Sequence, residues 1–441
     1  MNTGVFVVEP LSQTRESLFE PLRLPCGLTL NNRIAKSAMS DSLGDGTGHP
    51  TAAQMRLYQR WAEGGLAVSI IGEVQLTSGY AENPGNLVLN EASDLERFRK
   101  LARHGSENGT RLWLQLGHAG ALAYAPTSNP KGPTAFNLQG LRCAEITSEE
   151  IRQLSSQFAT TARLAQKAGF GGVQIHAAHG FLLSQFLSPL FNKRTDGYGG
   201  AIANRMRLLL EAIEATRAAV GPTFPIAVKL NSSDELQGGF SEEDALKVME
   251  ALDRTSIDLI DISGGTYFPG AKSASDRSGR GPYFLEFAKR ARAVTTKPLM
   301  LTGGFKTRAQ AEDAVASGAV DIVGLARALV LEPTLPKLWK ENQKPEPTFP
   351  RFSDAPEGGI TAWYTMRLAE IGADAETHVF GDLEQAIQAY AARDESRTEV
   401  WSAHFKKNAV GTSRLRQVQA APFIERSATR PLNMPKLPGS G

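Results

Sequence analysis

The sequence predicts an α/β protein, a (β/α)8 TIM barrel with a C-terminal helical extension, and three observations carry that reading. Short apolar runs bounded by glycines alternate with longer runs at helical spacing, eight times between about residues 30 and 331. The residues able to do chemistry fall where each strand gives way to its helix, the edge at which barrels bind ligands. The chain's 441 residues, 41% hydrophobic and 21% charged, can bury a core of that size.

Residues 1–20 are polar and aperiodic and read as an N-terminal arm, residues 21–343 as the barrel. Asn32 to Met39 is the first strand; a Gly/Asp-rich loop and a helix from Thr51 to Gly64 follow. Leu66 to Val74 is the second strand. Ser93 with Glu96 reads as a capping box for a helix running to about Asn108, and Arg111 to Leu116 is the third strand. A long loop rich in Gly, Pro and Asn then suggests the mouth of a site. Thr147 with Glu150 caps the next helix, which leads into Gly172 to Ile175 with His176 as the strand's last residue. His179 follows, and the run Phe181, Leu182, Leu183, Phe186, Leu187 returns at helical spacing. Pro225 to Leu230, Ile257 to Ser263, Pro298 to Thr302 and Val320 to Gly324 complete the strands, with helices between them. Residues 344–441 break the pattern and read as a helical extension, Thr361 to Ile371 and Leu383 to Arg393, ending in a disordered tail over Pro431 to Gly441.

Composition narrows the function. A net charge of +2 without a long basic block recommends neither nucleic acid nor an anionic membrane as partner, which leaves a small molecule. Cys26 and Cys143 lack the spacing of a disulfide framework or zinc knuckle. With no signal-like N-terminus and no membrane-length apolar stretch, the expected location is the cytoplasm. A homo-oligomer is left open. His176 and His179 have no third ligand at zinc-like spacing and no H-E-x-x-H, so no metal is expected. No G-x-G-x-x-G lies between a strand and a helix, so a nicotinamide cofactor has no domain of its own.

The strand ends form a consistent set. Strand one offers Ala38, Met39 and Ser40, strand two Gly72, strand three Gln115, strand four His176 and His179, strand five Lys229. Gly303 and Gly304 close strand seven, and Ala326 and Arg327 follow strand eight. A planar polar ring would meet Gln115 and Lys229 while its phosphate meets the glycines and Arg327, which describes flavin mononucleotide (FMN). Lys229 sits inside the apolar strand IAVKL, so a buried partner is expected.

LNNRIAKSAMS at 30–40, LWLQLGHAG at 112–120, IHAAHGFLLSQFLSPLFNKRTDGYGG from Ile175, and LTGGF with DIVGLAR further on together resemble the Old Yellow Enzyme family over roughly residues 18–338. That resemblance implies an FMN-dependent oxidoreductase that takes hydride from NADH or NADPH onto the flavin and passes it to an activated C=C bond, one partner leaving before the other binds. It implies that Gln115 meets the pyrimidine side of the flavin, Ser40 its O4/N5 edge, Gly72 the ring by close backbone approach, and Gly303, Gly304 and Arg327 the phosphate. A cation at Lys229 favours the reduced flavin, and His176 and His179 converge on a substrate carbonyl oxygen where negative charge develops. The family's proton-donating tyrosine is replaced by Phe181 in the substrate pocket, which has no proton to give. Tyr267, after strand six, is the candidate in its place. The substitution also keeps open an oxidase, dehydrogenase or demethylase on the same site. The alternative outside redox chemistry is a phosphate-binding barrel. Missing cysteine clusters argue against the iron–sulfur relatives.

Overall fold

The computed structural model describes residues 17–406, apart from 139, 270–280, 344–345, 353–354, 357, 377–381 and the side chains of 73 and 406. The expected tail at 431–441 lies outside the described residues. Eight parallel strands form the barrel: β1 Ile34–Met39, β2 Val68–Gln75, β3 Arg111–Gly117, β4 Gly172–Ala177, β5 Ile226–Asn231, β6 Leu259–Ser263, β7 Leu299–Thr302 and β8 Ile322–Leu325. Pairing of β8 with β1, Val323 opposite Ile34, closes the ring.

Two-residue periodicity sorts each strand. Ala35, Val68, Ile70, Trp113, Ala227, Leu259, Met300 and Ile322 pack together as one inner cluster. Their neighbours Ile34, Ile71, Leu114, Val228 and Ile260 belong to the larger cluster beneath the helices. Both faces are buried, which is why these strands read as nearly continuous apolar runs.

The helices are α1 Ala52–Glu63, α2 Leu95–Gly105, α3 Ser148–Ala168, α4 Leu182–Leu187, α5 Arg207–Val220, α6 Glu242–Asp253, α7 Leu285–Arg292, α8 Arg308–Ala316 and α9 Arg327–Leu331, then α10 Gly359–Gly372 and α11 Leu383–Lys406, with short unnumbered turns of helix at Ile202–Arg205 and Leu335–Lys340. Thr51 caps α1, and Thr147 with Glu150 forms the expected box on α3. The box expected at Ser93 does not form. Asp94 caps α2 by accepting from the Glu96 N–H, while the Ser93 hydroxyl donates 2.9 Å to the Val88 carbonyl. A carboxylate one residue closer to the helix is the better acceptor for its orphan N–H groups.

The long loop after β3 carries three short strands, Lys131–Gly132, Phe136–Leu138 and Leu141–Glu145, over a cluster that includes Phe181, Phe191 and Phe268. Leu18, assigned to the N-terminal arm by the sequence reading, is 1% exposed and belongs to the core, because an apolar side chain beside the barrel gains more from burial than a loose arm gains from freedom. The extension is bound to the barrel. Arg56 and Arg60 of α1 pair with Asp374 just beyond α10, and Arg397 of α11 donates to the Ser42 carbonyl after β1.

Candidate active site

The C-terminal ends of the strands open into a cavity of about 450 Å³, within the range of small-molecule sites. Its floor is a chain of buried polar side chains that alternate with the inner apolar layer. Lys229 Nζ donates 2.7 Å to Asp261 Oδ2, and both residues are at most 1% exposed. Gln174 Nε2 donates 3.0 Å to the same oxygen, and its own Oε1 accepts from Gln115 Nε2 at 2.8 Å. Thr302 donates 2.7 Å to Asp261 Oδ1 and can therefore accept from Ser37 at 2.9 Å. Asp261 is the partner that Lys229 required. The sequence reading passed over it, although an aspartate inside LIDIS carries the same signal as a lysine inside IAVKL.

Ala38, Met39 and Ser40 line one side of the cavity, with Gln115 and Lys229 at its base. Gly303, Gly304, Ala326 and Arg327 line another. Gly303 and Gly304 hold φ of +117° and +87°, and a Cβ on Gly304 would come within 2.2 Å of the Gly281 carbonyl oxygen, so no larger residue fits. Gly324 is tied just as closely, its would-be Cβ 2.5 Å from both Ser37 Oγ and Thr302 Oγ1. A Cβ on Gly72 would sit 2.2 Å from the Met39 carbonyl oxygen, so this glycine lets β2 approach β1 beside the Ala38–Ser40 wall of the cavity.

His179 reaches the cavity in a left-handed conformation, φ +59°, that a histidine adopts only when its surroundings fix it. Its N–H donates 3.1 Å to Asn231 Oδ1, its carbonyl accepts from the Tyr267 N–H, and its Nε2 lies 2.8 Å from Ser263 Oγ. Desolvation and then Lys229 pull the imidazole down to about 3, so it is neutral at physiological pH. His176 does not line the cavity with it. At 2% exposure it is packed against His179 and Phe181, ring centroids 5.2 and 4.8 Å away, and burial also pushes its pKa down. Phe181 is likewise 2% exposed and stands behind Tyr267, 5.8 Å between rings. Tyr267 lines the cavity with its ring 5.8 Å from that of His179. Desolvation in the cavity and then Glu82 push its phenol above the ordinary tyrosine range, although 42% of the residue remains exposed.

The extension completes the wall, which the sequence did not reveal. Tyr364 of α10 packs on Trp363 and also lines the cavity beneath Arg327, whose guanidinium lies 5.5 Å from the ring centroid. Tyr390 of α11 lines it as well. No helix among the described residues is long and apolar enough to cross a membrane.

A glycine cradle beside an arginine, joined by one cavity to an amide and a lysine at the base, fits phosphate at one end and a polar ring at the other. Fold and site together define a flavin mononucleotide barrel. The sequence matches the NADH:flavin oxidoreductase / NADH oxidase family over residues 17–346, and the chain belongs to that family. It is similar to the NADH-dependent flavin oxidoreductase iliE of Hypocrea jecorina, 36% identical over 357 residues, covering 72% of this chain and 87% of the relative. The iliE protein of Neonectria sp. is 34% identical over 397 residues, 82% of this chain, yet this chain spans only 51% of that relative's length. Among solved structures, the old yellow enzyme homologue from Zymomonas mobilis superposes with a TM-score of 0.66 at 26% identity, over 74% of this chain and 93% of the other. A 2-naphthoyl-CoA reductase complex does so with a TM-score of 0.69 at 27% identity, over 75% and 53%. FMN is the cofactor of the family, and the residues of this cavity fit it.

Proposed function

We propose that this protein reduces a small α,β-unsaturated carbonyl compound, with NADH or NADPH and the substrate binding in turn to the same open face. The observation that supports this reading best is a neutral His179, fixed by Asn231 and Ser263, in the same cavity as the Gln115–Lys229 floor. FMN would supply hydride transfer in two steps, from the nicotinamide and to the substrate. Gln115 and Lys229 would hold its pyrimidine side, Ala38, Met39 and Ser40 its edge, and Gly303, Gly304, Ala326 and Arg327 its phosphate. A neutral imidazole at His179 would orient the substrate carbonyl and donate to its oxygen as charge develops there, leaving Tyr267 to bound the substrate side. His176 would act on the substrate only through the packing of His179. Phe181 is the observation that favours a second reading, an oxidase, dehydrogenase or demethylase on the same site, because it removes the expected hydroxyl.

The test is the visible spectrum of the purified protein supplied with FMN, first reduced by NADH or NADPH without oxygen and then mixed with 2-cyclohexenone. Bleaching followed by recovery is expected, and His179→Ala should slow the recovery by roughly 10²-fold, about 3 kcal/mol of transition-state stabilisation. Bleaching without recovery turns the assignment to the second reading. No flavin band at all returns the protein to a barrel without redox chemistry.

A further inference from the structure

Phe181 leaves proton delivery without the family's hydroxyl, and Tyr267 is one acid on the cavity wall that could stand in for it. Hydride addition to the β-carbon leaves an enolate, and the α-carbon must then gain a proton. The loop after β2 supplies a second acid. Asn86 Oδ1 accepts from the backbone N–H of Glu82 at 2.9 Å and so fixes the loop. Glu82 lines the same cavity as His179 and Ser40 while remaining 7% exposed. Its Oε2 has no hydrogen-bond partner, an expensive arrangement for a carboxylate and a tolerable one for a neutral carboxyl.

We infer that Glu82 is the proton donor to the α-carbon, in the role that Phe181 cannot fill. This assignment rests on the proposed reduction of an activated C=C bond. In the step, the carboxyl O–H breaks and leaves its electron pair on oxygen. A C–H bond forms with the enolate's electron pair, and the carboxylate regains its proton from solvent. The substrate is reduced by two electrons and the nicotinamide is oxidised, so Glu82 contributes a proton alone.

The surroundings of Glu82 keep it loaded. Burial raises its pKa first, then Asp394 of α11, to about 8; hydrogen bonds from Asn86 and Ser40 act the other way. Asp394 is itself 8% exposed and raised by burial, with Arg393, Arg397, Tyr390 and Ser42 opposing that rise. Two desolvated carboxyls that interact cannot both ionise freely, so one proton stays on the pair. Tyr267 also interacts with Glu82, and Arg327 interacts with Tyr267. Glu82 is the buried acid of the two, 7% exposed against 42% for Tyr267, and a carboxyl is intrinsically a stronger acid than a phenol. The extension thus acts on the chemistry through Asp394, a positioning residue.

The experiment compares wild type with Glu82→Gln, Tyr267→Phe and Asp394→Asn, using the full chain loaded with FMN. Flavin loading and reduction by NADH are read first in every sample, so that a later loss is not loss of cofactor. In Glu82→Gln, flavin reoxidation by 2-cyclohexenone should slow by about 10²–10⁴-fold. In wild type that rate should fall as pH rises through about 8, and Asp394→Asn should move the fall to lower pH. Infrared spectra of the protein without flavin should show a neutral carboxyl band that titrates in the same range and is absent from Glu82→Gln. Reoxidation of Glu82→Gln within a few-fold of wild type, or a large loss in Tyr267→Phe alone, overturns the assignment. Wild-type flavin that the enone cannot reoxidise overturns the proposed function instead, and the role of Glu82 with it.

Discussion

Two lysines are buried to the same depth on opposite faces of the barrel wall, and they meet opposite fates. Lys229 points inward from β5 at 1% exposure and meets a carboxylate at 2.7 Å. Lys36 points outward from β1 at 0% exposure and meets no carboxylate directly. Its ammonium donates to the Tyr58 hydroxyl and the Ile70 carbonyl, and lies 4.5 Å from the Trp61 ring centroid. Asp41 is reached only through Tyr58, which donates to it at 2.9 Å. Burial then pulls Lys36 down to about 7, with Asp41 opposing and Lys229 adding to the shift. Burial without a directly bonded counter-ion is what lowers Lys36, whereas Lys229 has such a partner in Asp261. Beneath the flavin site this has a chemical consequence. Lys229 presents one end of an ion pair to the cavity, so its pull on a reduced flavin is weaker than that of a bare cation at the same place.

Breaking the inner pair should have the largest effect. Asp261→Asn leaves Lys229 buried without a counter-ion and should cost about 3–5 kcal/mol in denaturant unfolding. In the loaded protein the same substitution should move the flavin midpoint potential upward, read by dye titration, because the lysine then acts alone. Replacing both partners, Lys229→Met with Asp261→Leu, should restore most of the lost stability. A single variant as stable as wild type would mean that the two side chains are not a working pair.

The outer lysine predicts a pH dependence of smaller size. Its pKa is lower in the folded chain than the ordinary lysine value of about 10.4 in the unfolded chain. Between about pH 7 and 10 the unfolded state therefore binds more protons, and stability rises with pH across that window. Below pH 7 both states are protonated and the folded protein carries the full penalty of the buried charge. Lys36→Met should flatten the rise and stabilise the protein at pH 6 by roughly 2–4 kcal/mol, after allowance for the lost hydrogen bonds. A wild-type stability that is level from pH 7 to 10 would show Lys36 to be paired more strongly than its neighbours imply.

The same contrast explains what was legible in the sequence. Strand order, the α3 capping box and the inward position of Lys229 follow from local periodicity and spacing, which a single sequence displays. The need for a buried partner was also legible, since a lysine inside IAVKL demands one. Its identity was not, because Lys229 and Asp261 lie 32 positions apart in the chain. Gly72 shows a related limit: a glycine at a strand end signals a close approach without saying whether a ligand or another strand makes it, and here β1 makes one. His176 and His179 look equivalent in sequence, yet the left-handed turn at His179 sends only the second ring into the cavity. Glu82 and the α11 residues around it stayed invisible, since a polar loop and a polar helix read as solvated until the fold presses them together.

Ser37 offers the finest test of the two-faced wall. It adjoins Lys36 in sequence but points inward, where its hydroxyl lies 2.9 Å from Thr302 at the edge of the Asp261 network. Ser37→Ala removes one neutral hydrogen bond and opens only the space of an oxygen, so the expected cost is about 0.5–1.5 kcal/mol. That cost should be the same at pH 7 and pH 10, because the lost bond titrates on neither side of the window and Lys36 keeps its own contacts. A Ser37→Ala cost that grew with pH would show the two faces of β1 to be electrostatically coupled through the strand. The sorting by side-chain direction would then fail at the one place where adjacent residues test it.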